Sequence, residues 1–352
     1  MTLELHAVEA ASSKVQAGAD TALPAPTQQH RRRPSWPMLW SMAAIPLIAC
    51  ALSFPIIKSN WFRKSADPTW VQASSMLYVA HDAPCQIVLY GDSTAITGLD
   101  PIAIQARTRL RTCNIAQTKG ALVVLGTSAL DIYLAHNPRP KYLLFQFSAA
   151  DLYLPQHWSD SYTYMEGAID LLRFYPTAEF TRQLIRHPEL FIGAMHYAYI
   201  SGPVHYWQNR HRQNALFDLH ASLLDVHFIR DYPSYDNCTE VVDADPVFHS
   251  PDPTFIQMLR QHYAHYADHI LVDVAPISAC DPHAAHLAHH FPGVDNTLQQ
   301  YPVSLFNEGY THYTKLGSAM LSQQIAAQIG SLELSTPPSS VQPSDPPANL
   351  KD

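Results

Sequence analysis

The sequence predicts an α/β protein: a central, mostly parallel sheet in a three-layer sandwich, with one N-terminal transmembrane helix and a helical insertion. Three observations predict it. Short apolar runs alternate with helix-patterned segments in two stretches of the chain, the rhythm of βαβ units with helices on both faces of a sheet. One uncharged stretch near the N-terminus is long enough to cross a bilayer. Between the two βα stretches the rhythm lapses, over about 154–250, in a segment dense in His, Tyr, Trp and Phe.

Length and composition allow this architecture. The 352 residues are 47% hydrophobic and only 15% charged, enough apolar material for a sizeable core. A net charge of −8 excludes the basic footprint with which proteins meet nucleic acid.

Residues 1–33 are rich in Ala, Gln, Ser and Pro without a sustained period and read as a disordered cytoplasmic tail. Residues 34–57, PSWPMLWSMAAIPLIACALSFPII, carry no charge and lie between Arg31-Arg32-Arg33 and Lys58. As a helix at ~1.5 Å per residue they reach roughly 36 Å, enough for the hydrocarbon core with some tilt. Trp36, Trp40 and Trp61 suit the two interfaces, and Pro46 and Pro55 are tolerable inside a membrane helix. A cleaved signal peptide and a buried core helix are the alternatives. The first fits poorly with the long, mostly polar segment in front and the lack of a clear small-x-small cleavage site.

Basic residues balance on the two sides of the span, so charge does not orient it. Cysteine usage does. Outside the span stand Cys85, Cys113, Cys238 and Cys280, an even set without C-x-x-C that suits two disulfides in an oxidising compartment. Three pairings are open, and sequence proximity alone favours Cys85–Cys113 with Cys238–Cys280. Buried free thiols are the alternative. The expectation is a cytoplasmic tail and a main domain exported across a bacterial plasma membrane.

Residues 58–82 read as a juxtamembrane connector, helical around Trp70–Val79. The main domain, 83–334, opens with a strand at Gln86–Tyr90 and a short one at Cys113–Ala116. A helix over Gly120–Ala135 precedes a strand at Tyr142–Phe147. After the insertion come a helix at Phe255–Asp268, a strand at Ile270–Val274, a fifth strand at Val303–Phe306 and an amphipathic helix at Lys315–Ile329. The insertion reads as a helical cap; its aromatic rings suit either a small core or stacking on sugars. The Pro- and Ser-rich segment 335–352 reads as a disordered tail.

In parallel sheets the chemistry gathers at the carboxyl ends of the strands. There the first strand runs into Gly91-Asp92-Ser93, which as a tripeptide also makes an ordinary turn or helix N-cap. Far along the chain, His312 precedes the last helix. Both residues fall on one rim of the sheet, and histidine is the side chain suited to take a proton from serine near neutral pH. Asn114 and Asp151 fall on the same rim.

These blocks resemble those of the SGNH (GDSL-type) hydrolases, above all their membrane-anchored, exported branch related to alginate acetylation proteins and the D-alanyl-transfer protein of teichoic acid synthesis. Gly91-Asp92-Ser93 with Gly98-Leu99-Asp100-Pro101 resembles the nucleophile block, and Asn114-Ile115-Ala116 leading to Gly120 the second block. Ser148-Ala149-Ala150-Asp151 occupies the place of the Gly-x-Asn-Asp block. Thr311-His312 with Lys315 and Gly317 resembles the histidine block. The likeness covers about 85–151 and 255–329.

It implies a flavodoxin-like SGNH sheet and acyl chemistry without a cofactor, with Ser93 as nucleophile, His312 as base, and Gly120, Asn114 and Asp151 in oxyanion or binding roles. The substrate would be an acyl ester or acyl donor, and the acceptor water or a carbohydrate polymer at the lipid bilayer, within a membrane complex. Two positions depart from the pattern. Ala150 stands where the family carries an oxyanion Asn, and Gly309 where it carries the Asp three residues before the histidine. Glu308, Asn307 or a backbone carbonyl is left to orient the imidazole, and Glu308 is taken as the third member beside the Ser93–His312 dyad. These departures keep open a second reading, a non-catalytic SGNH-like scaffold that binds polysaccharide or partner proteins. A metal reading rests on His262, His265 and His269 at helix spacing and on His286, His289 and His290. Neither set carries H-E-x-x-H.

Overall fold

The computed structural model describes residues 36–59, 82–117, 128–152, 165, 169, 172, 173, 175–209, 236–238, 250–284, 286–308 and 312–335. The chain divides into two compact units, Met1–Ile45 and Pro46–Asp352. The first contributes only the start of helix α1, Trp36–Lys58, to the described residues. Within α1, Trp40–Lys58 is long and apolar enough to cross a membrane. Most of the connector, nearly all of the two tails, most of 153–174 and nearly all of 210–249 lie outside the described residues.

The centre is a four-stranded parallel sheet in the order β2-β1-β3-β4, formed by β1 (Ile87–Gly91), β2 (Thr112–Asn114), β3 (Tyr142–Phe147) and β4 (His269–Val274). Strands covered on both faces read as continuous apolar runs, and every residue of β1, β2 and β3 is buried. Pairing is in register along the full length of β3, from Tyr142 opposite His269 to Phe147 opposite Val274. Alternate residues supply two separate cores. Val88, Tyr90, Phe145 and Val272 join one cluster, with Leu130 and Tyr133 of α4 (Ser128–His136) and Ile256, Leu259 and Tyr263 of α8 (Pro253–Tyr263). Ile87, Leu89, Leu144 and Leu271 join the other, with Leu321, Ile325 and Ile329 of α9 (Lys315–Ser335).

Two short helices follow β1: α2 (Ser93–Gly98) and α3 (Pro101–Thr108). Asp100 caps α3 by accepting from the Ile102 and Ala103 N–H groups, with Pro101 at its first turn. The insertion is helical where described, as α5 (Thr177–Arg186), α6 (Leu190–His196), a π-helical turn at Tyr197–Ser201 and α7 (Gly202–Asn209). Disulfides join Cys85 to Cys113, at the entry to β1 and in β2, and Cys238 to Cys280. Cys50 is a free thiol.

Several sequence expectations shift. The helix placed at Phe255–Asp268 begins earlier, because Asp252 caps it through the Thr254 N–H, and ends at Tyr263. Of the helix placed at Gly120–Ala135, only Ser128 onward is described. A small parallel pair, β5 (Ile277–Ser278) and β6 (Gln300–Tyr301), adds to the expected strands. No fifth strand forms at Val303–Phe306. Val303–Leu305 instead makes a 3₁₀ turn after Pro302, whose fixed φ suits the start of a turn. Phe306 then opens β7 (Phe306–Glu308), antiparallel to β8 (His312–Tyr313).

Candidate active site

Gly91 ends β1 opposite Gln146 of β3, where a Cβ would overlap the Gln146 carbonyl oxygen. This glycine is the condition for β1 to run straight into the turn that presents Ser93. Asp92 then caps α2. One of its carboxylate oxygens accepts from the Thr94 N–H at 2.8 Å and the Thr94 hydroxyl at 2.5 Å; the other accepts from the Ser148 N–H at 2.7 Å. A single buried carboxylate thus fixes the start of the serine helix and ties it to the end of β3. Burial, and next the charge of Asp151, push the Asp92 carboxyl up to about 7; Asp151 also hydrogen-bonds to it.

Ser93 is the first residue of α2 and half-buried. Its Oγ lies 3.1 Å from Nε2 of His312. Residues 219 apart in sequence therefore meet at hydrogen-bond distance. His312 is held there by its neighbour. The buried Tyr313 donates its hydroxyl to the Pro276 carbonyl just past β4 at 2.7 Å, and Asn307 Nδ2 donates to the Tyr313 carbonyl at 2.7 Å. From the other side, Ser318 and Ser322 of α9 donate to the Gly98 carbonyl, and Ser322 Oγ accepts from the Asp100 N–H. The serine helix and the histidine strand thus share supports.

The remaining expected site residues fall as follows. Asp151 ends a 3₁₀ turn, Ala149–Asp151, against Asp92 rather than in the described contacts of Ser93. Asn114 is fully buried and spends both amide donors on the Ala95 and Leu99 carbonyls, at 3.0 Å each, while its Oδ1 accepts from the Ala116 N–H. It brackets α2 against the end of β2, and those donors do not face the serine. Backbone pairing sets Glu308 opposite His312 in the β7–β8 ladder. Gly120 and Gly309 lie outside the described residues. The histidine spacing behind the metal reading is not helical, since α8 stops before His265 and His269. His262 instead approaches Asp131 at 3.3 Å, and His269 stacks on Tyr142.

Sequence reasoning assigns no positioning role to Asp92, Thr94 or Tyr313; Asn307, its other candidate for orienting the imidazole, is seen donating to the Tyr313 carbonyl. The signal for Asp92 is present, because an Asp just ahead of a helix caps it by accepting the backbone N–H two residues on, here that of Thr94.

A second buried carboxylate lies on the same strand pair. Asp273 is fully buried opposite Gln146, and burial pushes it up to about 7 while Gln328 Nε2 donates to it at 3.2 Å. Its other oxygen and both polar atoms of the Gln146 side chain have no hydrogen-bond partner among the described residues. A carboxyl raised in the fold binds more protons folded than unfolded between about pH 4 and 7, so stability falls as pH rises through that window. Asp273→Asn is expected to raise stability at pH 8 by up to about 4 kcal/mol, a shift of about three pKa units at 1.36 kcal/mol each, and to change little at pH 4. Denaturant midpoints at the two pH values measure this.

No family model, curated protein or solved structure matches this chain. The functional reading therefore stands on its own geometry.

Proposed function

We propose that the chain is a membrane-anchored, extracytoplasmic serine esterase or O-acyltransferase of SGNH type, built as a three-layer sandwich and acting on an envelope or exported polysaccharide. The observation that carries the reading is the 3.1 Å contact between Ser93 Oγ and His312 Nε2 at the carboxyl end of β1. A serine–imidazole contact at this distance is the geometry that activation of a serine nucleophile requires, and Ser93 is half-buried rather than sealed in the core.

In the forward step, Ser93 Oγ attacks the acyl carbonyl carbon as His312 Nε2 takes the hydroxyl proton. The oxyanion forms beside the Ser93 backbone N–H, which stands at the first position of α2 where no helical carbonyl can accept it. Collapse breaks the bond to the leaving alcohol, which receives the proton from His312. The acyl group is then esterified to Ser93. Water or a sugar hydroxyl gives its proton to His312 and attacks the acyl-enzyme, and Ser93 Oγ recovers that proton as it leaves.

The membrane-length helix and the two disulfides support an exported, tethered domain. A tethered site suits a polymeric or lipid-linked acceptor. The test is labelling of the full chain with a fluorophosphonate, which reacts only with an activated serine. Labelling lost in Ser93→Ala supports the reading. A wild-type chain that resists labelling favours the scaffold, to which the alanine at position 150 lends its weight.

A further inference from the structure

The insertion carries an apolar surface on the wrong side for a soluble cap. From Leu190 to Asn209 the backbone is continuously helical through α6, the π turn and α7, and those residues include no Asp, Glu, Lys or Arg. A helix of a water-soluble domain turns large apolar residues inward and polar ones outward. Of the seven buried residues here five are small, Gly193, Ala194, Ala198, Ser201 and Gly202, and only Leu190 and Tyr197 are large. The outward stripe is Ile192, Tyr199, Ile200, Val204 and Trp207, from 44% to 65% exposed, with His205 and Gln208 exposed beside it. Small residues at the packing face and large apolar ones outside is the arrangement of helices surrounded by lipid.

The same helix is packed on α1. Phe54 makes edge-on contacts with Phe180 of α5 and Phe191 of α6, at 5.9 and 5.5 Å between centroids. Tyr199 donates its hydroxyl to the Ala49 carbonyl at 2.8 Å. Lys58 Nζ donates to the carbonyls of Arg173 and Tyr175, closing the end of α1 onto the insertion. Ala49 is the midpoint of the membrane-length segment Trp40–Lys58, roughly 14 Å from Lys58 at 1.5 Å per residue. A side chain that reaches the middle of a span belongs to an element that lies beside that span within the bilayer. The exposed Leu47 and Leu52 of α1 add to one apolar surface with the stripe.

We infer that α6–π–α7 is a second membrane contact, with its Ile192–Trp207 stripe seated in the lipid leaflet that holds the C-terminal half of α1. The occupant is the bilayer itself. The exposed Arg186 of α5 offers a cation to lipid phosphates, while Arg182 is already paired with Glu179. The insertion is then a platform holding the domain against the membrane surface. The inference rests on the reading of α1 as a span.

The test reconstitutes the full chain, carrying Cys50→Ser to remove the one free thiol, into vesicles of phosphatidylcholine and phosphatidylglycerol. Single cysteines at Leu47, Ile200 and the exposed Ile102 of α3 are labelled with an environment-sensitive dye. The inference expects the Leu47→Cys and Ile200→Cys labels to lose emission to brominated lipid and to resist iodide on both sides of the membrane. The Ile102→Cys label should respond to iodide alone. If the label at position 47 is quenched by lipid while that at 200 responds to iodide, or to neither quencher because protein covers it, the platform is overturned and the span stands. If the label at 47 is also untouched by lipid, the span reading fails and takes the platform with it.

Discussion

If the proposed acyl chemistry holds, Ser93→Ala and His312→Ala are each expected to lower turnover of a simple acetyl ester by on the order of 10⁴–10⁶, and the double variant to be no worse than either alone. The reason lies in the contact itself. The hydroxyl of Ser93 is a weak nucleophile until a base accepts its proton, and Nε2 of His312 stands 3.1 Å away to do so. With either partner gone the step does not begin, so the second loss removes nothing more. Loss of fold would give the same kinetics. The control is thermal unfolding of each variant, which should stay near wild type because both side chains are half-buried and the supports of the site lie elsewhere, in Asp92, Tyr313 and Asn307. Additive losses in the double variant would show that the two residues act separately and would remove the dyad.

Gly91→Ala is expected to be the most damaging single methyl in the domain, with a loss of about 4 kcal/mol or more and failure to accumulate as folded protein. The added Cβ overlaps the Gln146 carbonyl oxygen, a backbone atom in the middle of the sheet that cannot step aside as a side-chain tip can. Relief requires β1 and β3, the two central strands, to part at the point where the chain turns into Ser93. Gly330→Ala is the matched control, because nothing lies within 4 Å of a Cβ there and the residue sits inside a helix, where Ala is favoured over Gly by about 1 kcal/mol. Folded yield and denaturant midpoint of the two variants decide the matter; a Gly91→Ala chain as stable as wild type would show that the end of β1 is loosely held.

Legibility from sequence follows how much of each element is decided locally. Tyr142–Phe147 is legible to the residue because an apolar run, broken only by Gln146, between the polar flanks Lys141 and Ser148 admits one reading. Val303–Phe306 is not. Its apolar residues suit a strand while Pro302 begins a turn, and the pairing of Phe306 with Tyr313 decides where the strand starts. In the site, Ser93 and His312 carry the signal because their chemistry is specific. The supports do not. Tyr313 next to a candidate histidine looks like any core aromatic, and its bond to the Pro276 carbonyl depends on where β4 ends in space. Asp273 opposite Gln146 is a fact of register, invisible in either strand alone. The apolar stripe of the insertion reads as core in the sequence because periodicity reports that a helix has a face, not what the face meets.

The last helix has a consequence for biosynthesis. Leu321, Ile325 and Ile329, which cover one side of the sheet, and His312, which faces the serine, are all made after the four strands they complete. A nascent chain therefore displays a sheet with one bare apolar side until that segment arrives. Glu333 then fastens the helix to the sheet through Lys141 and the Tyr142 hydroxyl. The chain thus carries Ser93 without its hydrogen-bond partner His312 for most of its synthesis, and the pair comes together only as the domain closes.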